Sequence, residues 1–467
     1  MDHAAIRAAV ELAGLELPDD ADVEIIGVDP VLPSPHHLGE GAAVARVLTG
    51  VAAADLWRLR GGEGQKVSVD VGHAAASLRS YMHTVPVDEA QRRPLSVGVS
   101  TERVIGIYAT ADGRHVQLHG SFNDGPAVLE VLGLSAPASQ EEIAGAVVRR
   151  DALELEDAFI ERRLCGGMVR SRVEWTEHPQ GQALAGRPVV TITRIGDAPP
   201  EPLPLGDRPL SGVRVIDLTR VLAGPTIAKT LAEHGADVLH VSAPGLERGG
   251  PFEIDTGIGK RQTHVDLRDP VGTATMRRLL RDADVFSQGY RRGTIARRGF
   301  GPGDAASIRP GIVYVSENCY GPVGPWAERP GWEQLAQAAT GMSHREGQAA
   351  PDGVPRLAPW AVNDYTTGFF GAYGAMVALG RRVTEGGSWH VEVSLSATSS
   401  WYQSLGDDLE AGASDRIDVE PFLDEMDTDC VGRLRFLRPA VRMSLTPPRW
   451  DLPPSDQGAH EPAWLPR

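Results

Sequence analysis

Apolar and polar positions change period along the chain, and the clearest change lies in its middle. Residues Leu210 to Pro225 (LSGVRVIDLTRVLAGP) read as a buried strand, a short polar turn and a helix opening at Pro225. Gly235 to Val241 (GADVLHV) then reads as a second strand, giving a βαβ start. Nucleotide-type folds usually open on such a unit, so its position implies that some two hundred residues are added or rearranged ahead of a Rossmann-like core. Upstream, residues 42–60 (AAVARVLTGVAAADLWRLR) predict an Ala-rich helix. Gly61-Gly62-Glu63-Gly64 breaks it, and Lys66 to Val71 alternates as a strand. Gly106 to His119 predicts a hairpin turning at Asp112-Gly113. Helical segments follow near 124–133 and 139–165, then a strand at Pro188 to Arg194. Asp197 to Arg208 is a Pro-rich linker and the expected domain boundary.

These elements predict an α/β protein: a Rossmann-like large domain with a parallel sheet, and a smaller α+β domain. The expected division is 1–100 as a partial repeat of a helix–strand element, 101–205 as the small domain and linker, 206–405 as the large domain, and 406–467 as a tail packing on it. The repeat is visible at an offset of 324 residues. Val67 then matches Val391, Val69 matches Val393, Ala54 matches Ala378 and Gly62 matches Gly386.

Composition narrows the partners. The 467 residues are 42% hydrophobic and 23% charged, ordinary for a globular protein. A net charge of −16 argues against nucleic acid and anionic membrane surfaces. No apolar run approaches the ~18 residues of a membrane helix. The acidic N-terminal segment lacks the pattern of a signal peptide. Three dispersed cysteines (Cys165, Cys319, Cys430) form no disulfide framework, so a reducing cytoplasm is expected. The histidines show no metal-ligand spacing, and no metal is expected.

Five segments in series carry a resemblance: GVRVIDLTRVLAGP, GADVLHVSAPG, GKRQTHVDLRDPVG, LLRDADVFSQGYRRGTIARRGFG and IRPGIVYVSENCYGPVGPWAERPGWEQLAQAATG. In this order they resemble the large domain of the family III CoA-transferases, which include formyl-CoA transferase, carnitine CoA-transferase and α-methylacyl-CoA racemase. The first two hundred residues resemble later parts of that family, so the chain looks like a permuted, partly duplicated variant of its fold. The resemblance implies CoA transfer between an acyl-CoA thioester and a small carboxylic acid, through an aspartyl covalent intermediate. It also implies a homodimer, because the family fold is an interlocked pair.

The segment Val362 to Gly368 (VNDYTTG) resembles the one carrying the family's catalytic aspartate, which implies Asp364 as nucleophile. Read from the residues alone, Asp364 also suits a helix cap. A helix N-terminus is expected to hold it ionised. Glu333 is a candidate assisting carboxylate, with an ordinary surface charge as the alternative. For coenzyme A, the resemblance implies Arg220, Ala223 and Gly224 in the first turn, Lys260 and Arg261 in the next segment, and Tyr290, Arg291 and Arg297 near adenosine and phosphates. Arginine suits phosphate because its planar fork donates paired bonds. A solvated helix face is the alternative for the Arg291, Arg292, Arg297 and Arg298 cluster. Three departures from the family pattern stand out: Gly259 replaces an Asn, Ser242-Ala243-Pro244 replaces a basic position, and Trp332 stands where the racemases place His. A non-catalytic CoA-binding homologue and an acyl-CoA racemase or isomerase therefore remain alternatives, the latter disfavoured by Trp332.

Overall fold

The structure is a computed structural model describing all residues except 92–103, 122–123, 247–249, 411–414, 416 and 467. The expected boundary between residues 100 and 101 lies outside the described residues. In chain order the strands are β1 (Val23–Ile26), β2 (Val67–Asp70), β3 (Val85–Pro86), β4 (Gly106–Ala109), β5 (His115–His119), β6 (Cys165–Met168), β7 (Val190–Gly196) and β8 (Arg214–Leu218). They continue with β9 (Asp237–Ser242), β10 (Lys260–His264), β11 (Val285–Gln288), β12 (Val313–Asn318), β13 (Ser388–Ser394), β14 (Leu423–Thr428), β15 (Gly432–Leu437) and β16 (Val441–Met443). Six helices matter for the site: α1 (Leu38–Leu59), α2 (Val71–Ser77), α3 (Ala223–Glu233), α4 (Glu333–Thr340), α5 (Val362–Glu385) and α6 (Leu395–Ser404).

The main sheet has the order β10-β9-β8-β11-β12-β13-β7. Its first six strands run parallel, and β7 closes the edge antiparallel to β13. β8 and β11 are adjacent although β9 and β10 intervene in sequence, so the strand order reverses there. That switch point opens a crevice at the C-terminal strand ends. The hairpin reads as its sequence suggests: β4 and β5 pair antiparallel around Asp112-Gly113, and β6 extends them into a separate small sheet. That sheet packs with three short helices around its own apolar core, which includes Val116, Leu118, Leu155 and Phe159.

The internal echo has a structural counterpart. α1 and α2 each begin 324 positions before α5 and α6. In the small sheet β1-β2-β16, β1 is parallel and β16 antiparallel to β2. This repeats the arrangement of β12, β13 and β7. A tail packing on the large domain is expected over 406–467; within it β16 is a strand of that repeated sheet, and β15 pairs with both β14 and β3. Trp450 and Trp464 donate their indole N–H groups to the carbonyls of Lys229 and Leu279.

α5 crosses the interior on a face of glycines. A Cβ on Gly368 would lie 2.5 Å from the Thr226 Cβ and 2.9 Å from the Ala223 carbonyl oxygen. One on Gly371 would lie 2.6 Å from Ile227, and one on Gly374 2.6 Å from Val391. Bare backbone lets α5 approach both α3 and the sheet. By contrast, the nearest heavy atom to a Cβ on Gly380, later in the same helix, is 3.7 Å away.

The two glycines predict opposite signs. Gly368→Ala forces α5 away from α3 and costs roughly 1–3 kcal/mol. Gly380→Ala removes backbone freedom without a clash and stabilises by up to about 1 kcal/mol. Denaturant unfolding measures both, and equal effects would contradict this packing.

Candidate active site

A cavity of about 310 Å³ opens at the C-terminal ends of β8, β11 and β12. Its floor is the β8–α3 turn (Arg220 to Ala223), with Gly289 to Arg292 after β11 and Glu317 to Cys319 at the end of β12. Arg329 to Trp332 and Asp364 form one wall. Ser121, Asp124 and Cys165, from the small-sheet unit, close the other. One chain therefore supplies both walls.

The β8–α3 turn is held from beneath. Asp217, wholly buried, accepts from Lys260 Nζ at 2.7 Å and from Thr219 Oγ1, and pairs with His240 Nδ1 at 3.1 Å. Lys260 also donates to the Pro225 carbonyl at 2.7 Å, joining the strand to the first turn of α3. Burial alone would raise the Asp217 pKa, but Lys260 and His240 outweigh it and hold the carboxyl far below its usual range. Above this anchor Val221 has φ +72°, a left-handed conformation costly for a β-branched residue, and it faces the cavity. Gly224 is required by contact, since a Cβ there would lie 2.6 Å from Thr219.

The two walls are clamped together by arginines. Arg329 donates to the Gly166 carbonyl at 2.7 Å and lies 3.4 Å from Glu156. Its guanidinium stacks over Trp326, 4.1 Å from the ring centre. Arg291 reaches Asp124 at 3.4 Å, and Arg292 donates to the Pro322 carbonyl.

Asp364 lies in the first turn of α5, yet its carboxyl makes no hydrogen bond or ion pair with a described residue, and no side chain caps the helix. Behind it, Glu333 accepts from Gln337 Nε2 at 2.8 and 2.9 Å and from the Asn363 backbone N–H at 3.1 Å. That last bond fixes the residue preceding Asp364. Burial pushes Glu333 up to about 7, and burial also pushes Glu317 up to about 7. For Asp364, burial and then the charges of Glu333 and Glu317 push the pKa well above its ordinary value. The helix N-terminus was expected to keep Asp364 ionised. Its amides are not bonded to the carboxyl, so desolvation and two neighbouring carboxyls prevail.

Of the residues singled out in the sequence, Asp364, Arg220, Ala223, Tyr290 and Arg291 line this cavity. Glu333 is buried behind Asp364, and Gly224 packs beneath the turn. Lys260 is buried at Asp217, bordering a smaller neighbouring cavity that Arg220 shares. Arg261 pairs with Asp237 at 2.9 Å and donates to the Ala463 carbonyl at 2.7 Å, joining β9 to the C-terminal segment. Arg297 is exposed on a short 3-10 turn outside the cavity. Glu317, Cys165, Cys319, Asp124 and Arg329 also line the cavity and are not among the site residues expected from the sequence. Glu317 was within reach, being the polar end of an apolar strand in a parallel sheet. The others need the fold. Among the described residues, one group has metal-ligating atoms within 4.8 Å of one another, Asp29, His37 and Glu40, and none of them lines this cavity.

The sequence model of CoA-transferase family III matches residues 210–408. An acyl-CoA transferase of Gibberella moniliformis is 34% identical over 409 residues, covering 79% of this chain and 71% of the relative. The acetyl-coenzyme A transferase nodX of Hypoxylon pulicicidum is 32% identical, covering 72% of this chain and 63% of the relative. The succinyl-CoA:glutarate CoA-transferase of Mus musculus is 37% identical over 183 residues, covering 37% and 41%. The chain thus spans between about two fifths and seven tenths of these relatives' lengths. A crystal structure of a CaiB/BaiF family protein from Brucella suis is similar at 26% identity and TM-score 0.40, covering 49% of this chain and 65% of that one. The chain belongs to CoA-transferase family III.

The buried anchor yields a stability prediction. Lys260→Met leaves the Asp217 carboxylate without its ammonium partner and costs about 3–5 kcal/mol. Arg297→Ala, on the surface, stays within about 0.5 kcal/mol. Unfolding midpoints measure both. Full stability of Lys260→Met would contradict the anchoring role.

Proposed function

We propose that the protein is an acyl-CoA:carboxylate CoA-transferase in which Asp364 is the nucleophile. One observation carries this reading: in a family III chain, the Asp364 carboxyl faces the crevice at the sheet's switch point without a hydrogen bond or ion pair to a described residue. A carboxylate tied into the fold would be spent on structure, whereas this one is available to a substrate.

The ionised Asp364 attacks the thioester carbonyl, and CoA thiolate leaves to give a mixed anhydride. The thiolate then attacks the aspartyl carbon, releasing the donor acid and leaving an aspartyl-CoA thioester. An acceptor carboxylate attacks that carbon and expels CoA thiolate, giving a second mixed anhydride; the thiolate then attacks the acceptor's acyl carbon, forming the new acyl-CoA and releasing Asp364 as the carboxylate. Every intermediate is an acyl derivative of similar energy, so the sequence runs in both directions. Tyr290, Arg291 and Arg297 serve the adenosine and phosphates of CoA, Arg297 from the surface outside the cavity, while Arg220, Ala223 and Gly224 form the turn where pantetheine and adenine approach backbone. Lys260 and Arg261 support the site from behind. Glu333 is a positioning residue, acting through the Asn363 N–H. No metal takes part in these steps. The homodimer and the cytoplasmic location remain part of this reading. A racemase would need a second base opposite Asp364, and Trp332 stands at the position where family racemases carry one.

Incubation with a panel of acyl-CoA thioesters, trapping with hydroxylamine and mass analysis of the peptide holding Asp364 test this mechanism. A hydroxamate or CoA adduct is expected, increasing with pH as Asp364 ionises and absent from Asp364→Ala. Asp364→Asn should lose at least about 10³-fold in kcat/KM, roughly 4 kcal/mol of transition-state stabilisation. CoA binding without an adduct from any donor would favour the non-catalytic alternative.

A further inference from the structure

Glu317 is a carboxyl that the mechanism above does not use. It ends β12 in the sequence Ser316-Glu317-Asn318 and lines the same cavity as Asp364. Strand alternation sends Ser316 to the opposite face, where its Oγ lies 2.9 Å from His390 Nε2. Glu317 makes no hydrogen bond or ion pair with a described residue. Room for it is provided by Gly289, where a Cβ would lie 2.9 Å from Glu317 Oε2. The carboxyl is therefore seated in the pocket rather than tied into the wall.

The cavity's other charges are distributed unevenly. Asp364 on α5 faces the same space, with Glu333 of α4 behind it. The thiols of Cys165 and Cys319 also line it, both raised by burial and so neutral. On the cationic side, Arg291 is paired with Asp124 and Arg329 with Glu156, while Arg292 keeps its charge at the exposed rim, donating to the Pro322 carbonyl. Arg220 has an interaction of its own, and Tyr290 is a neutral phenol. Apolar surface from Leu222, Trp332 and Leu395 fills much of the remainder. A substrate with a second carboxylate needs a cation to receive it. Beside the nucleophile it meets carboxyls instead.

We propose that Glu317 is a specificity-determining residue, selecting acyl groups with an uncharged or hydrogen-bond-donating tail and rejecting those ending in a second carboxylate. This deepens the transferase reading and rests on it for the identity of the acyl pocket. The repulsion follows from charge at short range in a poorly hydrated space. It strengthens as Glu317 ionises, so discrimination increases with pH through neutrality. A hydroxyl-bearing tail can donate to either form of the carboxyl.

Calorimetric binding of butyryl-CoA and succinyl-CoA to the full chain and to Glu317→Gln, at pH 6 and pH 8, tests this without requiring turnover. The full chain should bind butyryl-CoA at least about tenfold more tightly at pH 8, with a smaller ratio at pH 6. Glu317→Gln should bring the ratio to within about threefold at both pH values by tightening succinyl-CoA, leaving butyryl-CoA unchanged. A thermal melt of the variant checks that it folds. Equal affinities in the full chain, or a ratio untouched by Glu317→Gln, would overturn the proposal while leaving Asp364 labelling intact. Failure of both thioesters to bind would overturn the transferase reading as well. Discrimination by binding with no label on Asp364 would sustain the role of Glu317 in recognition and sink the nucleophile.

Discussion

The contact of α5 with α3 through bare backbone is the constraint on which the site depends. At Gly368 the two helices approach so closely that a methyl group would meet both the Thr226 side chain and the Ala223 carbonyl. Ala223 belongs to the turn that floors the cavity, and Asp364 lies one helical turn before Gly368. The glycine therefore sets the distance between the turn carrying Asp364 and the cavity floor. Two further supports act on the same small region. Glu333 grips the Asn363 N–H, and the Asp217–Lys260 pair holds the strand end to the helix start. Each is an interior hydrogen bond to a charged or chargeable group, costly to lose once buried.

Burial there creates an opposition that the proposed chemistry must overcome. The cavity leaves Asp364 half-buried beside two other carboxyls, which favours its neutral form. The proposed nucleophilic attack needs the anion. The same desolvation makes that anion reactive once formed, because little hydration must be shed. Two arginines of the cavity, Arg329 and Arg291, join it to the small-sheet unit. Their structural duty explains how an acidic chain assembles this crevice from its own small-sheet unit and large sheet.

Much of the fold was legible in the sequence. The mid-chain βαβ pattern, the Asp112-Gly113 hairpin and the 324-residue echo all depend on local periodicity, and each has its counterpart. The contribution of β16 to the repeated sheet was not, because Val441–Met443 is too short for alternation to stand out in a Pro-rich region. In the site, Asp364, Arg220, Ala223, Tyr290 and Arg291 come together because they lie on turns at one sheet end. Lys260 and Arg261 lie on a strand, and their side chains go to Asp217 and Asp237 instead. Charge in a sequence does not reveal which way a strand residue faces. Cys165 and Asp124 come from the other unit, and only tertiary packing brings them to this cavity.

The most direct test of the central claim is a crystal structure of Asp364→Ala with a bound, unreacted acyl-CoA. The account predicts pantetheine passing the Arg220–Ala223 turn, the thioester carbonyl beside position 364, and both walls supplied by the same chain. A thioester lodged elsewhere, or a site completed by a second copy's small-sheet unit, would contradict it.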